Sequence, residues 1–173
     1  KEMEDLVRSP IEGFRAPSFS ITNASLWALE CLLEAGFRYD ASISPSKNYL
    51  YGLPVSPRRP YRIIFPQEGQ LLEFPQSVLS LAGFHMPFCG GFFLRIFPRI
   101  LVEQTIQSLN RKDIPAILYF HPHEIEGGNI PAKLFSRENL ILNARKAKTP
   151  AVVNQLLRGG TFISFKDWIN RYP

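Results

Sequence analysis

The apolar positions alternate between short runs and helically spaced stripes. "EGFRAP" (residues 12–17) reads as a short strand, because Pro17 pushes the residue before it into an extended conformation. Leu26, Leu29, Leu32 and Leu33 then repeat at helical spacing, with Thr22 or Asn23 as the cap and Gly36 as the stop. "FRYDAS" (37–42) reads as a second strand. "QLLEFPQSV" (70–78) reads as a third, ending at Pro75 or lying at an edge. "FPRILVEQTIQSLNRK" (97–112) gives the clearest helix, with Pro98 in its first turn and Ile100, Leu101, Ile106 and Leu109 on one face. "PAILYF" (115–120) is a continuous apolar run, as expected of a strand buried on both sides. Residues 149–158 predict a last helix, with Thr149 as cap, Pro150 at the start and Gly159 as stop, and "GTFISF" (160–165) a final strand before "KDWINRY". The opening "EMEDLV" reads as the end of a helix. This alternation predicts an α/β fold with a mostly parallel sheet, in which chemistry gathers at the C-terminal ends of strands. Arg15, Asp40 and His121 all fall at or just after such ends.

Between Ser42 and Gln70 the pattern breaks down. Prolines at 45, 54, 57, 60 and 66 leave no good helix and only short extended pieces, a long irregular stretch of the kind that wraps or serves a site. Composition changes little in this picture. At 173 residues with 45% hydrophobic and 20% charged positions, the chain is long enough for a substantial core. The net charge of +5 is spread out, and its densest cluster, "ARKAK" (144–148), is short; with no nucleic-acid-binding motif, a nucleic-acid partner is not expected. Cys31 and Cys89 are too few for a disulfide framework, and Cys31 sits in a helical pattern as a candidate buried apolar residue. No apolar run approaches membrane-spanning length. The opening "KEMEDLVRSP" carries no secretory signal, which leaves a cytoplasmic or an envelope location open.

Candidate chemistry is sparse. His121 ends an apolar run and is followed by Pro122, so a rigid segment would project its imidazole; it is either a structural donor or a proton-transfer group. Arg15 calls for a carboxylate partner if buried, and Asp40 is the nearest in sequence, as a brace between two strands or as part of a site. His121, His123 and Glu124 form a possible metal trio, although Glu124 pairing with a cation or capping a backbone group is the simpler expectation. His85 reads as structural. Gly90 and Gly91 lack phosphate-loop spacing and let the backbone turn or approach a ligand closely, with Phe92 and Phe93 as core or sugar-stacking rings.

In order along the chain, "GFRAPSFSIT", "LWALECLLEAGFRYDASISP", "YGLP", "LLEFPQSV", "MPFCGGFFLRIFP", "YFHPHEI" and "FISFKDW" resemble the polysaccharide deacetylases of the NodB homology type, carbohydrate esterase family four, in the variant of exopolysaccharide gene clusters. The resemblance spans nearly the whole chain. It implies the C-terminal part of one distorted (β/α) barrel domain over residues 1–173. The implied activity is metal-dependent hydrolysis of N- or O-acetyl groups on a polysaccharide or oligosaccharide. By resemblance His121 is the general acid and Arg15 orients the catalytic base, with Asp40 in a loosely matching region. Pro17, Gly90, Gly91, Phe92 and Arg95 are the substrate-binding candidates. The family's divalent metal is usually zinc, held by an aspartate and two histidines that match nothing in this chain. The metal ligands and the base are therefore expected from a missing N-terminal segment or another chain. The alternative is a non-catalytic carbohydrate-binding or assembly module.

Overall fold

The computed structural model describes residues 2–47, 51–126, 128, 131 and 136–172, apart from the side chain of Glu138. Residues 48–50 of the irregular stretch therefore lie outside the described part. The chain folds as two compact units, Lys1–Pro87 and Phe88–Pro173.

The first unit holds α1 (Glu2–Val7), β1 (Gly13–Phe14), α2 (Trp27–Glu34), β2 (Tyr39–Asp40), β3 (Tyr61–Phe65) and β4 (Gly69–Glu73). It closes with a hairpin of β5 (Val78–Leu81) and β6 (Phe84–Pro87). The four-stranded sheet runs β1-β2-β4-β3, parallel at β1–β2 and β2–β4 and antiparallel at β3–β4. Strand β4 stops before Pro75 as expected, yet it lies inside the sheet, because β3 emerges from the proline-rich stretch and covers its far side. Helix α2 packs on this sheet, and Ala16, Ile21, Leu29, Leu32, Ile43, Leu53 and Leu71 form the core between them. Cys31 is a correction: it is exposed, because the buried stripe of this short helix is Leu29 and Leu32, and position 31 points away from both.

The second unit holds α3 (Gly91–Ile96), α4 (Arg99–Asn110), α5 (Arg137–Asn143), α6 (Thr149–Gly159) and α7 (Phe165–Arg171). Phe88, Cys89, Leu94, Val102, Ile117, Val153 and Leu156 are its buried apolar residues. Two expected strands do not form here. Residues 115–120 make one parallel bridge, Tyr119 to Gly90, and the ladder stops there because α3 begins at Gly91. Residues 160–165 form no strand; Ser164 instead caps α7, its Oγ accepting from Asp167 N–H at 3.1 Å. Thr149 opens α6 as its first residue, and its hydroxyl is buried without a hydrogen bond, so it does not cap the helix. The architecture is thus mixed α/β with open sheets, and no closed sheet is present among the described residues. No helix among them is long and apolar enough to cross a membrane.

Candidate functional site

Parallel strands β2 and β4 end side by side at Asp40 and Glu73, and these two carboxyl groups are fully buried. Backbone donors around them come from the segment that leaves β2. Asp40 Oδ1 accepts from the Ser42 hydroxyl at 2.6 Å and Oδ2 from Ser42 N–H at 3.1 Å, while Glu73 Oε1 accepts from Ile43 N–H at 3.0 Å. Glu73 Oε2 is buried without a donor. Burial, then the neighbouring Asp40 charge and a hydrogen bond to Asp40, push the Glu73 carboxyl well above the usual carboxylate range, against Ile43 N–H and Arg15. A proton held on Glu73 lets the pair share one negative charge and gives its second oxygen a hydrogen to donate. The same burial, with Glu73 and Asp40 beside it, raises the Tyr61 hydroxyl. Farther out, the Ser44 hydroxyl donates to Gln76 Oε1 at 2.7 Å and bonds the Ser46 hydroxyl at 2.8 Å.

Arg15 leaves β1 beside this pair. Its Nε donates to Ala41 O at 3.0 Å, and its guanidinium lies over the Phe19 ring at 5.5 Å. The turn that brings Phe19 there is strained: Pro17 opens it, and Ser18 (φ 57°) and Phe19 (φ 50°) are both left-handed, each at a cost on the order of 1–3 kcal/mol. The buried Ser42 hydroxyl accepts from Ala16 N–H at 2.7 Å and ties this turn to β2. Pro17 itself is exposed.

In the second unit, His121 is exposed at the start of a 3₁₀ turn, Pro122–Glu124. Its ring stands edge-on to Tyr119 at 5.9 Å and stacks on His123 at 5.2 Å. Tyr119 is in turn fixed by donating its N–H to Cys89 O at 3.1 Å. Gly90 is needed for that contact, because a Cβ there would sit inside the Tyr119 ring and 2.6 Å from its carbonyl oxygen. His123 is driven toward the neutral form by burial and then by His121, with Lys146 and Arg95 adding to this and Glu124 opposing it.

The same turn carries a buried ion pair, Arg95 Nε to Glu124 Oε1 at 3.2 Å, with side chains 2% and 1% exposed. Burial works against the Arg95 charge and the Glu124 carboxylate supports it. Glu124 Oε2 also accepts from His121 N–H at 2.8 Å, so this side chain both pairs a cation and caps a backbone group. The substrate-binding candidate Arg95 is thus buried within the unit. Gly91 turns the chain with φ 51° beside Tyr119, and Phe92 is half-buried against Phe93.

Arg15 and Asp40 therefore belong to the first unit and His121 to the second. Asp40 meets no solvent, so any part it takes acts through its neighbours. Among the described residues no group of three or more His, Cys, Asp or Glu side chains is placed to hold a metal ion, and His121, His123 and Glu124 do not form one. Glu73 and Lys146 are additions to the expected set. Lys146, from the basic run at 144–148, is buried and donates its Nζ to Gly128 O. His85 acquires partners too. Arg58 Nη2 meets His85 Nε2 at 2.6 Å, which leaves Nδ1–H to donate to the Ser80 hydroxyl at 2.9 Å.

Residues 41–170 match the family described as Domain of unknown function (DUF3473). The chain belongs to this family. DUF3473 is associated with polysaccharide deacetylase-like proteins. The matched span contains Asp40's successor residues from Ala41 onward, the hairpin, the Arg95–Glu124 pair and His121, while Arg15 and Pro17 precede it. No curated protein and no solved structure matches the sequence.

Proposed function

We propose that this DUF3473 chain is part of a metal-dependent polysaccharide deacetylase of the NodB type, a distorted barrel hydrolase that removes acetyl groups from a glycan. The observation that carries the reading is His121: an exposed imidazole on a turn fixed by a buried carboxylate, within a family associated with deacetylase-like proteins. In hydrolysis of an acetamide or acetate ester, water adds to the acyl carbon, the bond to the sugar nitrogen or oxygen breaks, and the leaving atom needs a proton. An imidazole at a rigid position suits that donation. On this reading Arg15, its Nε held by Ala41 O just after β1, would hold and acidify a carboxylate. The described residues do not fit as ligands of the divalent metal, so on this reading its ligands, and the base, come from other residues.

The reading is tested by incubating the native protein with acetylated oligosaccharides and polysaccharides in the presence of Zn²⁺ and measuring free acetate. Catalytic release is the expected result. Glycan binding with no acetate release would overturn the reading in favour of a carbohydrate-binding module.

A further inference from the structure

The Arg95–Glu124 pair does more than fill space. Arg95 Nη1 donates to Leu142 O and Ala144 O, both at 3.1 Å, and Nη2 to Ile141 O at 2.6 Å. These carbonyls end α5, where the helix dipole favours a cation. One guanidinium on α3 thus joins the C-terminal end of α5 to Glu124, and Glu124 passes that anchorage to the His121 backbone. Replacing this pair with apolar residues of similar volume would often be neutral or stabilising, so stability alone does not explain such an ion pair.

We propose that Glu124 and Arg95 are positioning residues for His121. Glu124 holds the His121 N–H, Arg95 holds Glu124 against the end of α5, and together they fix the direction in which the imidazole leaves the turn. The Tyr119 edge and the His123 face then restrict the ring itself. This inference rests on the deacetylase reading for its catalytic consequence.

The test compares wild-type native protein with Glu124→Ala, Glu124→Gln, Arg95→Lys and the double variant Arg95→Met/Glu124→Leu. Acetate release gives kcat and KM, hydrogen exchange follows the His121 amide, and thermal melting checks folding. A displacement of a reacting group by about 1 Å can cost a hundredfold. Glu124→Ala is therefore expected to lower kcat about a hundredfold with KM little changed, and to speed exchange of the His121 amide. Glu124→Gln keeps one acceptor, for the His121 N–H or for Arg95 but not for both, and is expected to fall between wild type and Glu124→Ala in kcat and in exchange. The double variant keeps the core filled without leaving a lone buried charge, and is expected to fold and to show the kcat loss of Glu124→Ala. A folded double variant with wild-type kcat would overturn the proposal, as would wild-type kcat in Glu124→Ala. An inactive wild type overturns the deacetylase reading itself, which separates the two failures.

Discussion

Glu73 shows how a single buried group links the sheet to pH. Its carboxyl is raised in the folded chain by burial first and by Asp40 second. Below the ordinary glutamate range it is protonated folded and unfolded alike, and its contribution is fully present. As pH rises past that range the unfolded chain releases the proton while the folded chain keeps it, so stability falls until the folded group also ionises. Glu73→Gln removes that dependence and keeps a donor toward Asp40. Its melting temperature relative to wild type is expected to rise from pH 4 to pH 8; a constant difference across that range would contradict the assignment. Gly90 carries a second residue-scale expectation. Gly90→Ala puts a Cβ into Tyr119 and against its carbonyl, and a misfit of this kind costs about 1–3 kcal/mol in urea unfolding. An unchanged midpoint would mean that Tyr119 moves aside freely. At this scale the sequence offered pairing with a cation or capping of the backbone as alternative uses of Glu124, and the structure gives it both. Glu73 was missed because its meaning lies in a neighbour 33 residues away, on the strand carrying Asp40.

At the scale of elements, helices with clear stripes were legible and pairing was not. The α2 and α4 regions follow from leucine and isoleucine spacing, and β2 and β4 from apolar runs closed by an acid. Residues 115–120 have the composition of a buried strand but meet only one bridging partner, because a strand is made by its neighbour as much as by itself. The hairpin β5–β6 lacked the usual turn signature: Ala82 (φ 48°) and Gly83 (φ 82°) make the reversal where Asn-Gly or Asp-Gly is the common signal. Local burial within elements also separates the cysteines. Cys31 is exposed on α2, whereas Cys89 is buried and its thiol pushed well up by burial alone. A thiol reagent is expected to label one cysteine of residues 1–173 rapidly in the native protein, identified as Cys31 by peptide mapping, and Cys89 only in denaturant. Fast native labelling of Cys89 would contradict the burial of that segment.

At the scale of the molecule, an α/β architecture was legible from alternation, and the parallel pairing of β1, β2 and β4 agrees with it. The antiparallel β3 was not, because it rises from a proline-rich stretch whose pattern says only that it is no helix. Sequence order also did not reveal the division at Pro87, where no linker composition marks the boundary. The central claim is that His121 gives the leaving atom its proton, and kcat of His121→Ala against wild type in the acetate-release assay tests it most directly. A loss of about a hundredfold or more in kcat is expected, in a variant that still folds and binds glycan. An active wild type matched by His121→Ala in turnover would contradict it.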